Sequence, residues 1–151
     1  MQRLPDSARS SVNHDVLLFL ERQAKPSNPA AADFDLDAFE LHTHPDLMER
    51  LVEASAGLDA PMVAAYGIPV LVHPNGVLFA CAYSMDTLLL RLPEELHARV
   101  VESRWTYQIG PQWLSVDAWL SDVPRREGTA RMREWCRWAY AHAGQLAGVD
   151  A

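Results

Sequence analysis

The chain has 151 residues, of which 49% are hydrophobic and 22% are charged, and its formal net charge is −7. This composition excludes wholesale disorder, and the length fits one domain with or without an arm. The negative charge argues against a general nucleic-acid binder, and no run of about 20 apolar residues is present to cross a membrane. The start lacks the apolar stretch of a secretory signal, and Cys81 and Cys136 are too few for a disulfide framework. We therefore expect a cytoplasmic protein.

The first 44 residues are predicted to form an arm. A short helix is predicted from about Asn13 to Gln23, with Asn13 as its N-cap. Pro26 and Pro29 exclude a helix in the segment that follows. The apolar stripe of the arm helix consists of Val16, Leu17, Phe19 and Leu20.

Residues 45–146 are predicted to form the folded domain, followed by a tail at 147–151. A helix begins after Thr43, the predicted N-cap, and ends near Gly57. From Met62 the apolar pattern changes to a period of two, which predicts strands over 68–72, 77–83 and 87–92. Asn75 and Gly76 mark the hairpin turn between the first two of these strands.

The second half of the domain is predicted to add a helix, a hairpin and a final helix. Pro93 opens the first helix, the strands cover 104–109 and 113–120, and the final helix covers 127–143. Hairpin connections imply an antiparallel sheet, and helices on one face imply a two-layer α+β domain of order α-β-β-β-α-β-β-α. The apolar face of the final helix consists of Met132, Trp135, Cys136, Ala139, Tyr140 and Ala143.

Several local strings resemble the TfoX N-terminal domain-like family of small α+β proteins. The family pattern is a methionine that enters a Tyr-Gly strand, a Gly turn, a Phe-Ala strand and a strand of alternating aliphatics. The matching residues are Met62, Tyr66-Gly67, Asn75-Gly76, Phe79-Ala80, Leu88 and Leu90, with the helix string MREWCRWAYAHA at 132–143. The resemblance covers roughly residues 45–146. It implies a fold like that of type III secretion chaperones, with no catalytic residues to carry over.

Two constellations suggest chemistry, and each has a plainer interpretation. His42 and His44, with Asp46 nearby, are metal candidates, but a metal site needs three or four placed ligands, whereas a capped helix start explains the same residues. His73 could pair with Cys81 across the hairpin as a nucleophile, which also requires an oxyanion site. Burial of both thiols as small apolar groups is the preferred interpretation. We therefore predict no catalytic residue, no cofactor and no metal.

Arginines on the final helix are candidate anion contacts. They are Arg131, Arg133 and Arg137. A solvated outer face, balanced in part by Glu127 and Glu134, is the alternative, and the acidic molecule favours it.

The predicted sheet has two apolar faces. The face toward the helices is predicted to carry Val70, Val72, Phe79, Cys81, Leu88, Leu90, Leu114 and Val116. Ala80 and the proposed interaction surface of Leu71, Leu78, Leu89, Trp113 and Trp119 occupy the other face. That face is too apolar to remain in water. The arm stripe, a second subunit or a partner protein should cover it, and we favour a homodimer.

These features predict a non-catalytic interaction or regulatory module. A nucleic-acid-associated transcriptional regulator is the alternative among binding proteins. A small metal- or thiol-dependent enzyme is the alternative from another class.

Overall fold

Seven strands and three α-helices are present in the computed structural model, which describes residues 2–23, 43–100, 103–105, 109–120 and 123–146. The helices are α1 (His14–Gln23), α2 (Pro45–Ala54) and α3 (Arg125–Gln145). The strands are β1 (Gln2–Arg3), β2 (Met62–Ala65), β3 (Ile68–Val72), β4 (Leu78–Tyr83), β5 (Thr87–Arg91), β6 (Ser103–Trp105) and β7 (Trp113–Asp117). They form one sheet in the order β1-β2-β3-β4-β5-β7-β6.

The sheet is antiparallel except at the edge where β1 runs parallel to β2. The predicted α+β class is confirmed. α2 and α3 pack together against one face, where α3 contacts β4 and β5. The arm helix α1 packs on the opposite face, so the sheet is covered on both sides.

The arm covers its face of the sheet mainly with two buried side chains of α1. Val16 is 1% exposed and Leu20 is 0% exposed, whereas Leu18 is 36% exposed. Residues four apart lie on the same side of a helix, which places Val16 and Leu20 together against the sheet. Leu17 and Phe19 are half-buried at the margin of this contact. The predicted stripe therefore contributes two buried and two peripheral side chains.

Asn13 precedes α1 as predicted, but its side chain does not cap that helix. The residue is fully buried, and its Nδ2 atom donates to the carbonyl oxygens of Ala8 and Gly76, each at 2.8 Å. Its Oδ1 atom accepts from the backbone N–H of Leu78 at 2.9 Å. Buried backbone groups need partners, so Asn13 joins the arm to the β3–β4 hairpin.

A β-bulge in β4 reverses part of the predicted assignment of sheet faces. Leu71 pairs with Ala80 while Val72 pairs with Leu78, so β4 has an extra residue at Phe79. The prediction assumed strict alternation across this point, and it assigned five residues to the wrong face of the sheet. Val70, Val72 and Cys81 lie under α1, and Leu71 and Ala80 lie under α2 and α3. Beyond the bulge, the predicted face is confirmed for Leu88, Leu90, Leu114 and Val116.

The starts of two predicted helices also differ from the structure. His44, not Thr43, is the N-cap of α2, because the hydroxyl of Thr43 donates to the carbonyl oxygen of Ala82 at 2.6 Å and its backbone bridges to Ser84. The segment after Pro93 is a 3-10 helix, Glu94–Arg99, with no fully buried residue to hold a longer α-helix in place. Within the described part of the chain, no helix is both long and apolar enough to cross a bilayer.

Candidate functional site

Most of the predicted interaction surface lies inside the molecule. Exposure is 2% or less for each of Leu71, Leu78, Leu89 and Trp113. The predicted surface is therefore wrong for these four residues, because the chain covers the sheet itself, with α1 on one face and α2 and α3 on the other. Trp119 is the member that remains at the surface, with 38% of its side chain exposed.

Trp119 lies in the connection between β7 and α3, and two hydrogen bonds fix its position. Its indole Nε1 donates to the carbonyl oxygen of Met85 at 3.1 Å, and its backbone N–H donates to Oδ1 of Asp117 at 3.1 Å. Met85, in the β4–β5 turn, is itself 66% exposed. Two separate turns therefore present neighbouring apolar side chains to solvent.

A cavity of about 260 Å³ adjoins the indole ring. Its lining consists of Asp46, Glu49, Arg50, Glu53, Trp119 and Arg125. The four members from α2 follow the spacing i, i+3, i+4, i+7, which places them on one side of that helix. The cavity is thus bounded by α2, the start of α3 and one aromatic ring.

The two arginines that line the cavity already interact with other groups of the chain. Arg50 is only 4% exposed, and its Nε and Nη1 atoms donate to the carbonyl oxygen of Ala118 and to Oγ1 of Thr129, at 2.9 and 2.6 Å. Arg50 and Arg125 also face the two carboxylate oxygens of Glu53, at 3.4 and 3.5 Å. Glu53 is therefore neutralised from both sides.

The other two carboxylates of the cavity, those of Asp46 and Glu49, face neither arginine. Glu49 is exposed and has no ion-pair partner among the residues described. Asp46 lies 3.8 Å from Nδ1 of His44, but that nitrogen accepts the backbone N–H of Asp46 at 3.1 Å. Asp46 and Glu49 thus contribute carboxylates to the cavity lining that the two arginines do not contact.

The metal candidates are not assembled into a ligand cluster in the described residues. His42 lies outside them. His44 caps α2 with the nitrogen that faces Asp46. No group of three His, Cys, Asp or Glu side chains with ligand geometry occurs in the described ranges.

Both thiols are buried, and this prediction is confirmed. Burial raises the pKa of Cys81 far above its ordinary range, although Arg91 opposes the shift, and burial raises the pKa of Cys136 to about 12 against the opposing effect of Arg137. The alternative in which His73 pairs with Cys81 is not supported by the structure. Cys81 lies opposite Val70, whereas His73 lies at the hairpin end, where its Nδ1 accepts the N–H of Asn75. A nucleophilic thiol needs an electropositive, partly exposed environment that lowers its pKa.

Two of the candidate anion contacts on α3 are engaged within the chain. Arg131 donates to Oε1 of Glu127 at 2.8 Å, and Arg133 donates to the backbone carbonyl of Glu53 at 3.1 Å. Arg137 is exposed on the same helix. The outer face of α3 therefore offers less positive charge to a ligand than the number of its arginines suggests.

No protein-family model, no curated protein and no solved structure matches the chain. Function is therefore inferred from geometry. Sequence reasoning missed the contributions of Glu49, Arg50 and Glu53 to the cavity. Their helical spacing with Asp46 was the available signal, but spacing alone does not show which side of α2 meets Trp119.

Proposed function

We propose that the protein is a non-catalytic, cytoplasmic interaction module. Its docking surface is the Trp119 patch, which we define as Trp119, Met85, Asp46 and Glu49. The observation that carries this proposal is a partly exposed indole, held by a hydrogen bond, beside a cavity of about 260 Å³. Tryptophan is enriched among the residues that dominate binding energy at protein interfaces.

The environments of the thiols favour binding over catalysis. Both cysteines are unpaired and buried, and their raised pKa values keep them protonated at neutral pH. Unpaired cysteines also suit a reducing compartment, which supports the cytoplasmic assignment. Within the proposal, the chain is a TfoX N-terminal-like module. The residues that carry this resemblance lie in three strands, in two turns and in α3: Met62 in β2, Phe79-Ala80 in β4, Leu88 and Leu90 in β5, Tyr66-Gly67 and Asn75-Gly76 in the turns before β3 and β4, and residues 132–143 in α3.

The proposed partner is another protein rather than a second copy of this chain. The homodimer was predicted to cover the second sheet face, and α1 already covers that face. Met85 and Trp119 follow the C-terminal ends of β4 and β7, whereas Gly76, the turn residue that bonds Asn13 of the arm, precedes β4. The nucleic-acid alternative draws support only from the arginines of α3.

Site-specific photo-cross-linking in the native host tests this function. A photoreactive amino acid replaces Met85 in one variant and Leu18 in a matched control, since Leu18 is also an exposed apolar residue at 36%. We expect a discrete adduct from position 85 and none from position 18. The absence of an adduct at 85, or the same adducts at both positions, would contradict the proposal. An adduct of twice the chain mass would identify a second copy as the partner.

A further inference from the structure

We infer that the cavity beside Trp119 receives an arginine side chain presented by the partner protein. This inference rests on the proposed function and deepens it. It names the chemistry that the Trp119 patch recognises, and it follows from charge, from the aromatic face and from the size of the cavity.

Charge complementarity selects a cation. The cavity is lined by three carboxylates and two guanidiniums, and both guanidiniums are directed at Glu53. Neither arginine faces Asp46 or Glu49: Glu49 has no ion-pair partner in the described part of the chain, and the partner of Asp46 there is His44, at 3.8 Å. A carboxylate pair at a partly enclosed surface binds a guanidinium through charge-assisted hydrogen bonds, which are stronger than those between neutral groups.

The aromatic face selects a guanidinium that can stack. The chain places its own arginines over two other tryptophans: Arg91 lies 5.7 Å from the ring centre of Trp113, and Arg99 lies 5.1 Å from that of Trp138. Trp119 has no such cation over its ring among the described residues. Arginine stacks on an aromatic face while its planar fork bonds a carboxylate, which lysine does less well.

The volume of the cavity suits one long side chain. Pockets for small molecules have volumes of roughly 300–1,000 Å³, and this cavity has about 260 Å³. A single long side chain fits such a volume. The exposed thioether of Met85 beside Trp119 then contacts the segment that carries this arginine.

The test is an NMR titration that follows the indole N–H signals of the folded, full-length protein. The probe is a nine-residue peptide with one central arginine, and the control peptide carries citrulline, which has the same shape without the charge. The Trp119 signal is assigned by its loss in Trp119→Phe. We expect the arginine peptide to shift this signal in the millimolar range and the citrulline peptide to bind at least tenfold more weakly, a factor that corresponds to about 1.4 kcal/mol.

Matched variants separate the patch from general acidity. Asp46→Asn combined with Glu49→Gln removes the two carboxylates that neither Arg50 nor Arg125 faces, and we expect a loss of roughly tenfold in peptide affinity. Glu134→Gln removes an exposed carboxylate of α3 outside the cavity lining and should leave the affinity unchanged. Arg125→Ala removes a competing guanidinium from the cavity and should strengthen binding. Backbone spectra of each variant confirm that it folds.

Three results would overturn the inference. They are equal shifts with both peptides, no shift of the Trp119 signal, and tighter binding of free spermidine than of the arginine peptide. If the peptide fails while position 85 still gives its adduct, the interaction function stands and the arginine assignment falls. If the adduct is also absent, both proposals fall.

Discussion

Gly76 lies at a close approach between the arm and the β3–β4 hairpin. Its φ is +92°, a conformation that residues with a side chain rarely adopt, and a Cβ atom there would lie 2.6 Å from the backbone oxygen of Ser7. Its carbonyl oxygen accepts the hydrogen bond from Asn13. The turn therefore needs glycine for its backbone conformation and for the space that the arm occupies.

Replacing Gly76 should cost much more stability than replacing Gly57, where φ is +85° and an added Cβ atom would meet no other atom within 4 Å. Gly57→Ala introduces backbone strain alone, about 1–2 kcal/mol. Gly76→Ala adds a clash with backbone atoms, so we expect a loss of at least about 3 kcal/mol. Urea denaturation measures both. Equal losses would show that the arm yields to the added methyl group without cost.

His142 makes stability depend on pH. The residue is 9% exposed, and neither ring nitrogen has a hydrogen-bond partner among the described residues. Burial lowers the pKa of His142, Arg91 lowers it further, and Glu95 acts in the opposite direction. The unfolded chain, with a pKa of about 6.5 at this residue, therefore binds the proton more readily than the folded chain.

The stability that neutral His142 contributes is present above about pH 6.5 and is lost as the pH falls through the lower folded-state pKa. We expect His142→Leu to flatten the decline in the free energy of unfolding below pH 6.5. His14→Gln, at an exposed position, should leave the decline unchanged. Parallel pH profiles for the wild type and His142→Leu would contradict this assignment.

At the scale of elements, α1 is held by a small number of fully buried side chains. Truncating one of them leaves a cavity against the sheet, so we expect Leu20→Ala to lower the free energy of unfolding by about 2–5 kcal/mol. Leu18→Ala, on the exposed side of the same helix, should change it by less than about 0.5 kcal/mol. Urea midpoints provide the comparison. Equal effects would mean that α1 presents a different face to the sheet.

Elements with one clear apolar period were predictable from the sequence. The inward face of α3 is confirmed at Met132, Trp135, Cys136, Ala139 and Ala143, each 3% exposed or less. The period of 3.6 residues left only one orientation for this face. The turn at Asn75 and Gly76 is confirmed as well, because glycine readily adopts the positive φ found at position 76.

The β4 bulge was not predictable, because the string Leu78-Phe79-Ala80-Cys81 is apolar throughout and shows no break in alternation. The role of Asn13 depends on a backbone amide 65 residues away, a relation that local patterns do not contain. The same holds for the candidate site. Trp119 was predicted to lie in a strand, on the covered second face of the sheet, whereas it lies in the connection after β7 and is 38% exposed. The side of α2 that it meets depends on tertiary packing.

At the scale of the whole molecule, each cover of the sheet protects one thiol. Cys81 belongs to the core under α1, and Cys136 belongs to the core between α3 and the sheet. Both thiols should react slowly with a thiol reagent in the native protein and rapidly in urea. We expect Leu20→Ala to accelerate the labelling of Cys81 more than that of Cys136. Equal acceleration would show that the two covers open as one cooperative unit.

The contacts of the arm have a consequence for the order of events during synthesis. The groups that Asn13 bonds, Gly76 and Leu78, lie 63 and 65 residues further along the chain. At about 5–20 residues per second, the ribosome needs roughly 3–13 s to make this intervening stretch. The apolar side of α1 is therefore made several seconds before the part of the sheet that it packs against. The arm can take its place only after the β3–β4 hairpin has been made.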